Sequence, residues 1–174
     1  MTERIVAGYS AGGIGDVLAG FASGVTLVTV ADGRDDIGTT VSAFCPVSVD
    51  PPLVLVSLLA GSYPAELLSR VDQFAVTLLA AGQRMLAGRF AVAGRPGARL
   101  LLDGVPHRRG ELSGALIADD GLAAIECEAS QRVPAGDHLL VIARVVAIPY
   151  AAAGGQPLIR FRNGYPAIGP AAQA

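Results

Sequence analysis

The stretch that decides the fold is GTTVSAFCPVSVDPPLVLVSLLAGS, residues 38–62. Within it, residues 39–49 alternate along the chain, which predicts a single strand with one buried face. That strand should end at Asp50-Pro51-Pro52, because proline has no N–H to donate to a central ladder. Residues 53–59 are a nearly continuous apolar run, which predicts a strand buried on both faces.

The rest of the chain also has mostly the pattern of strands. Runs with two-residue alternation or strong β propensity, bounded by turn residues, predict five further strands. They cover residues 25–30, 74–79, 123–130, 138–148 and 158–162. Three short helices are expected at residues 14–22, 63–70 and 83–90, the second capped by Ser62. Short strands separated by turns indicate a mainly β protein, either a barrel or a sandwich.

The 174 residues fit a single domain with one core. Residues 91–121 contain several glycines and prolines and predict a long surface excursion. On it, His107, Arg108 and Arg109 are interpreted as a solvated charge cluster on a mobile loop. We expect the two ends of the chain, residues 1–12 and 169–174, to be flexible.

Composition argues against several classes of function. The net charge is −2 without a basic block, which argues against nucleic-acid binding. No run reaches the roughly 18–20 apolar residues of a membrane span. The 52% hydrophobic content and the mean hydropathy of +0.50 therefore indicate apolar surface buried between subunits. The chain contains no lysine, which excludes Schiff-base catalysis, and we expect a protein of the reducing cytoplasm.

Few residues suggest a metal site or acid–base catalysis. Cys45 and Cys127 are expected to be two buried small residues, and no close-spaced ligands predict a metal site. The glycines at 12–15 do not match the dinucleotide-binding fingerprint, and two histidines without a well-spaced partner do not make a hydrolytic triad. Glu126 and Glu128 share a strand face, where we expect an exposed stripe rather than an acid–base pair.

Small hydroxylated residues are concentrated in residues 38–62. Their backbone and hydroxyl groups can bind a polar planar ligand without filling the space that it needs. The helix start after Ser62 offers free N–H groups to a phosphate, which Arg89 on the next helix could neutralise. Threonine is also common in strands that bind nothing, and the pattern alone favours that ordinary explanation.

Several segments of the chain together resemble a known family. They are FASGVTLVT (21–29), GTTVSAFCPVSVDPPLVLV (38–56), FAVTLL (74–79), GRF (88–90), AIEC (124–127), AGDH (135–138) and FRNGY (161–165). In this order and spacing they resemble the flavin reductase-like family, the small reductase components of two-component flavin monooxygenases. The resemblance covers about residues 15–168.

This resemblance implies an FMN-binding split β-barrel with short flanking helices, assembled as a homodimer. It implies a flavin-binding wall made of Thr39, Thr40, Val41, Ser42, Ala43, Ser57, Leu58 and Phe90. Ser62 and Arg89 would hold the flavin phosphate. The nicotinamide ring of NADH or NADPH would dock at the turn containing Asp137 and His138. Arg162 and Tyr165 would lie in the closing segment near the same face.

Two positions depart from the family pattern. Leu59-Ala60-Gly61-Ser62 stands where the family often has Asn-Arg-Ser-Ser, and Pro46 replaces the usual serine or threonine. An amide and a positive charge are missing from the first of these positions. We therefore expect flavin to be a loosely held substrate rather than a prosthetic group.

The function that the resemblance implies is an NAD(P)H-dependent flavin reductase. It would transfer hydride from the nicotinamide cofactor to FMN, or to FAD, and supply reduced flavin to a partner monooxygenase. His138 is the catalytic candidate, in the role of positioning the nicotinamide. An oxidase or electron carrier with tightly held flavin, and a non-catalytic flavin-binding dimer module, remain alternatives.

Overall fold

A computed structural model describes residues 13–33 and 35–169 of the chain. In this part the strands are β1 (Ser23–Gly24), β2 (Thr26–Val30), β3 (Ile37–Val41), β4 (Phe44–Val49), β5 (Pro52–Leu59), β6 (Gln73–Leu78), β7 (His107–Arg109), β8 (Leu116–Ala118), β9 (Ala123–Ala135), β10 (His138–Ala151) and β11 (Ile159–Arg160). The helices are α1 (Gly13–Leu18), α2 (Tyr63–Leu68), α3 (Arg84–Ala91) and α4 (Ala98–Leu101), and a 3₁₀ turn at Ala81–Gln83 precedes α3. The predicted mainly β class is confirmed.

One seven-stranded antiparallel sheet dominates the fold, in the order β3-β2-β6-β9-β10-β5-β4. Its two edge strands, β3 and β4, are consecutive in the chain and are separated only by Ser42 and Ala43. The sheet therefore curls so that β3 comes into contact with β5. At this point the Ser57 N–H donates to the Ala43 carbonyl at 3.0 Å and extends the β4–β5 ladder to the residue next to the β3–β4 connection. Closing a sheet in this way covers its edges and produces the predicted barrel.

The prediction of one continuous strand over residues 39–49 is wrong. Its first part belongs to β3, which pairs with β2, whereas its second part is β4, which pairs with β5. The chain changes direction at Ser42 and Ala43, where neither a glycine nor a proline marks a turn. The hydroxyl-rich stretch therefore lies at the seam of the barrel, where the two edges meet.

Strand β5 is buried on one face, not on both as predicted. Val54, Val56 and Leu58 are buried, while Leu55 and Leu59 on the other face are half-buried and exposed. The strand is held by β10 on one side and β4 on the other, so its ladder is complete. Because both faces of β5 carry apolar side chains and only one is buried, the other face exposes apolar surface in the described part of the chain.

Residues 91–121 are an integral part of the fold, which corrects the prediction of a surface excursion. They contain α4 and the hairpin β7–β8, and the side chains of Leu102 and Ile117 are fully buried. The cluster at residues 107–109 is a strand rather than a mobile loop. Its Arg109 pairs with the buried carboxylate of Asp36 at 2.8 Å. Glycine and proline here shape short connections between small packed elements.

The core has two main parts. One fills the barrel interior, and its members include Val28, Val56, Leu67, Phe74 and Val141. The other lies between the barrel wall and the helices α3 and α4, and includes Leu27, Leu86, Phe90, Leu102 and Leu116. Because the second part joins the helices to β2 and β8, it fixes the position of the segment between α3 and α4.

Two expectations about single residues are wrong. Glu126 is only 2% exposed, because the turn preceding β8 folds over it and donates the N–H groups of Leu112 and Ser113 to its Oε1 at 3.0 and 2.6 Å. Cys45 is exposed, whereas Cys127 is buried, and both are free thiols. Burial, with a smaller effect of the Glu126 charge, raises the pKa of Cys127 to about 12.

The remaining predicted elements are present with shifted ends. Strands β9 and β10 run beyond their predicted limits and meet at a tight turn, where Gly136 has a φ of +61° that favours glycine. Ser62 caps α2 as predicted. The expectation of flexible ends concerns residues 1–12 and 169–174, of which only residue 169 lies within the described part. In that part no helix is long and apolar enough to cross a membrane.

Candidate functional site

A cavity of about 660 Å³, here called the larger cavity, opens at the barrel seam. Its volume is in the range of about 300–1,000 Å³ that is usual for small-molecule and cofactor sites. Nine residues that the sequence selected line it: Thr39, Thr40, Val41, Ser42, Ala43, Ser57, Leu58, Ser62 and His138. The other lining residues are Ile37, Gly38, Leu59, Gly61, Tyr63, Pro64, Ala91, Ala93, Gly94, Arg95 and Pro96.

Three hydroxyl groups in this lining have no hydrogen-bond partner among the described residues. They belong to Thr39, Ser42 and Ser57, which are all half-buried. Thr40 differs, because its Oγ1 donates to the Ala87 carbonyl at 2.6 Å and so ties β3 to α3. The three hydroxyls around this cavity are therefore free to donate to or accept from a polar ligand.

Phe90 supports the β3 wall from behind. Its ring is fully buried and packs so closely against Gly38 that a Cβ at that position would lie 2.7 Å from Phe90 Cδ1. Glycine is therefore required at position 38 by close approach. Phe90 does not line the cavity, although the sequence placed it among the flavin contacts.

His138 opens β10 and lines the larger cavity at its outer end. Its Nδ1 lies 2.7 Å from Asp137 Oδ1, and its side chain is 41% exposed. The bond to His138 lowers the pKa of Asp137 below its ordinary value. Asp137 itself is not among the lining residues, but its carbonyl accepts the Ala60 N–H at 2.9 Å. The hairpin tip is thus fastened to the turn after β5, and the imidazole is oriented.

The charge around the larger cavity is entirely positive or neutral. No aspartate or glutamate is among the lining residues, whereas Arg95 and His138 are. Sequence reasoning missed Arg95, and the only signal was an isolated arginine between Gly94 and Pro96. Such a lining suits a ligand with a negatively charged group.

Three further predicted site residues are not brought to the larger cavity. Arg89 is exposed and donates to the Leu101 carbonyl at 3.3 Å. Arg162 stacks on Phe161 with 5.0 Å between guanidinium and ring centroid, and Tyr165 lies under Arg84 at 5.7 Å. None of the three is among the residues that line the larger cavity.

A smaller cavity of about 450 Å³ adjoins the larger one. The two share Ser42, Ala43 and Ser57, so they are neighbouring parts of one groove along the seam. The smaller part is more apolar and includes the exposed side chains of Phe21 and Cys45. Within the described part of the chain, no cluster of three or more histidine, cysteine or acidic side chains could hold a metal ion.

The chain is similar to known proteins over nearly all of the described part. It matches the flavin reductase like domain over residues 18–169. It is 37% identical over 146 residues to the NADH-dependent FMN reductase AsuE2 of Streptomyces nodosus subsp. asukaensis, covering 82% of this chain and 77% of that protein. It is 33% identical over 150 residues to the reductase component of 4-hydroxyphenylacetate 3-monooxygenase of Thermus thermophilus, covering 86% and 91%.

Among solved structures, the fold is similar to the NADH:FAD oxidoreductase SgcE6 of Streptomyces globisporus in complex with NAD and FAD fragments. The TM-score is 0.83 with 29% identity, over 91% of this chain and 92% of that one. BorF, the flavin reductase component of a bacterial two-component tryptophan halogenase, aligns with a TM-score of 0.80 and 31% identity, over 87% and 93% of the two chains.

Proposed function

This chain belongs to the flavin reductase-like family, and from that membership we propose that it is an NAD(P)H-dependent flavin reductase. It transfers hydride from a nicotinamide cofactor to FMN, with FAD as a second flavin substrate. NADH is the expected donor, since similar proteins carry that cofactor in their names. The reduced flavin then serves a separate monooxygenase, the role that the Thermus relative's name describes for that protein.

The larger cavity is the observation that carries this proposal. Its wall combines unpaired hydroxyls of Thr39, Ser42 and Ser57 with the accessible apolar residues Ile37 and Leu59. A flavin ring has polar edges and apolar faces, so this combination fits it. A bound flavin supplies the hydride acceptor, and the hydride transfer is the chemistry of the cofactors themselves.

The protein's own contribution is binding, orientation and exclusion of water. The backbone of β3 and the start of β4 can pair with the polar edge of the ring, because these strand edges meet at the seam. Val41 and Leu58 border the cavity, and their side chains are buried in the barrel core, which anchors the two strands of the wall. Phe90 holds this wall rigid through its contact with Gly38. No side chain has to move a proton for the hydride step.

His138 is proposed to position the nicotinamide ring at the outer end of the cavity. Asp137 orients the imidazole at 2.7 Å, and β5 fixes the backbone of the hairpin tip. We expect His138→Ala to raise the KM for the nicotinamide cofactor more than it weakens flavin binding. His107→Ala, the matched change on β7, should alter neither quantity. Equal losses of nicotinamide and flavin affinity in His138→Ala would contradict this role.

One assay separates the proposed function from the alternatives. Purified protein is mixed with free FMN and NADH, and the loss of nicotinamide absorbance is followed. Turnover that saturates with free FMN supports the reductase. A yellow protein that does not exchange its flavin indicates a tightly bound flavoprotein, and absence of both signals leaves a non-catalytic module.

The position of the site is tested by filling it. Ser57 borders both cavities, so Ser57→Leu should block the groove and abolish flavin-dependent NADH oxidation. Ser130→Leu is the control, because Ser130 is exposed on β9 and lines neither cavity. If Ser57→Leu retained the wild-type KM for FMN, the flavin would bind elsewhere.

We also propose that the chain acts as a homodimer in the cytoplasm. The apolar residues Phe21, Val47, Val49 and Leu59 are all at least half exposed, and Val49 reaches 93%. They lie on or near the outer face of β4 and β5, beside the cavities. Sedimentation of the purified protein tests the assembly, and Val49→Arg should shift it towards the monomer.

A further inference from the structure

Arg95 lies in the connection between α3 and α4 and reaches back to the β3 wall. Its Nε donates to the Gly38 carbonyl at 2.7 Å and its Nη1 to the Val92 carbonyl at 3.1 Å. These two bonds hold the guanidinium in place at the edge of the larger cavity. One N–H of Nη1 and both of Nη2 remain without a hydrogen-bond partner among the described residues.

The charge of Arg95 has no counter-ion in the part of the chain that the structure describes. Arg99 and Arg109 pair with Asp36, and Arg108 pairs with Asp119, but no carboxylate lies within ion-pair distance of Arg95. The side chain is half-buried, and burial lowers the pKa of the guanidinium. Partly burying an unpaired charge costs free energy, which an anion in the cavity would offset.

The turn after β5 cannot supply this charge. The turn after β5, residues 59–62, contributes only Leu59, Gly61 and Ser62 to the lining. Arg89, the cation that the sequence proposed, bonds to the Leu101 carbonyl instead. Among the lining residues, Arg95 is therefore the one that is always charged.

We propose that Arg95 binds the phosphate of the flavin nucleotide, and that it makes the protein select FMN over riboflavin, which lacks the phosphate. This inference rests on the proposed function, since it assumes that the larger cavity holds the flavin. A guanidinium can give a phosphate two parallel hydrogen bonds, and the N–H groups of Nη1 and Nη2 that are free in Arg95 can supply them. The two bonds to backbone carbonyls orient the group before the ligand arrives.

The test compares FMN with riboflavin in Arg95→Gln, measuring equilibrium binding by flavin fluorescence and KM by NADH oxidation. Loss of a charge-assisted pair should raise the Kd and KM for FMN about 10- to 100-fold. Both constants for riboflavin should change little. Arg95→Lys keeps the charge and should recover part of the FMN affinity. Arg144→Gln removes an exposed arginine that lines neither cavity, and it should leave the Kd and KM of both flavins unchanged.

The outcomes distinguish this inference from the proposed function. Equal losses of affinity for FMN and riboflavin in Arg95→Gln would mean that Arg95 only supports β3 through Gly38. This result would overturn the inference but not the proposed function. A selective loss of FMN affinity in Arg89→Gln but not in Arg95→Gln would also overturn the inference. Wild-type protein that binds neither flavin would overturn the proposed function and this inference with it. Added salt should weaken FMN binding in the wild type and leave Arg95→Gln nearly unaffected.

Discussion

Replacing Asp36 by asparagine removes the charge from the most connected carboxylate in the structure. The side chain is 1% exposed and accepts hydrogen bonds from Arg99 Nε and Arg109 Nη2, both at 2.8 Å, and from the Asp32 N–H at 3.2 Å. Its φ is +48°, a left-handed conformation that asparagine tolerates about as well as aspartate. The substitution Asp36→Asn therefore changes the charge with little change in shape or backbone strain.

The size of the effect follows from the exposure of the partners. Breaking a buried ion pair usually costs about 3–5 kcal/mol when the remaining charge stays buried. Here the side chains of Arg99 and Arg109 are 48% and 46% exposed, so water can solvate them after the change. The amide that replaces the carboxylate would also keep one acceptor oxygen. We expect a loss of about 2–3 kcal/mol in the free energy of unfolding, or about 4–12 °C in Tm for a domain of this size.

The stability loss should depend on pH in a defined direction. Burial raises the pKa of Asp36, but the bonds from Arg109 and Arg99 outweigh it, so the pKa is lowered in the folded protein. The unfolded chain therefore binds the proton first, at about pH 3.9. The stabilisation is fully present above that pH and is lost as the pH falls through the folded-state pKa. The gap between wild type and Asp36→Asn should thus be constant near neutrality and shrink in acid.

Urea unfolding at fixed protein concentration, at pH 7 and at several pH values below 4, measures both quantities. Asp103→Asn is the control, because Asp103 is exposed and its side chain has no hydrogen bond or ion pair among the described residues. It should lie within about 0.5 kcal/mol of the wild type. The reasoning would be refuted if Asp36→Asn lost less than about 0.5 kcal/mol of stability at pH 7. It would also be refuted if the stability difference between wild type and Asp36→Asn did not shrink in acid.

Three other expectations concern packing and burial. Gly38→Ala should cost about 1–3 kcal/mol of stability by thermal unfolding, because its Cβ would overlap the ring of Phe90. Glu126→Ala should cost about 3 kcal/mol, since the turn over β9 loses the acceptor of two backbone N–H groups. Its KM for FMN should not change. In a Cys45→Ser background, Cys127 should resist alkylation in the folded protein and react only on unfolding, because burial raises its pKa to about 12.

Matched changes show whether these effects have the stated causes. Gly88→Ala places a Cβ in open space within α3 and should stabilise the protein by about 0.5–1 kcal/mol. Glu128→Ala removes an exposed ion pair with Arg144 and should cost about 1 kcal/mol or less. A Gly38→Ala protein as stable as the wild type, or rapid alkylation of Cys127 in the native state, would contradict the packing described above.

Local patterns in the sequence predicted the strands, turns and helix cap that depend on residues close together in the chain. Two-residue alternation or β propensity located β2 and β6, and the Asp50-Pro51-Pro52 turn separated β4 from β5 as expected. Ser62 was found because a helix cap is a short-range bond, here to Ala65 N. The wall of the larger cavity was found by the same means together with the family resemblance.

What the sequence did not show depends on contacts distant in the chain. Glu126 was expected to be exposed, because nothing near it in sequence reveals that the turn around Ser113 covers that face of β9. Sequence reasoning selected Arg89 as the phosphate ligand and missed Arg95, six residues further along the chain. Which one faces the cavity depends on the rotation of α3 and the path of the chain after it, and no periodic pattern determines that path.

The path of the chain after α3 is set by bonds to the start of β3, just before the residues that line the larger cavity. Residue 36 binds α4 twice, since its carbonyl accepts the Ala98 N–H at 2.9 Å and its carboxylate pairs with Arg99. Two residues later, the Gly38 carbonyl accepts Arg95 Nε. The connection that carries the cation is therefore fastened to the same short piece of chain from which the wall begins. The wall and the Arg95 guanidinium are therefore positioned together, so the cavity, which has no charged residue from the turn after β5, has a fixed positive charge from the connection between α3 and α4.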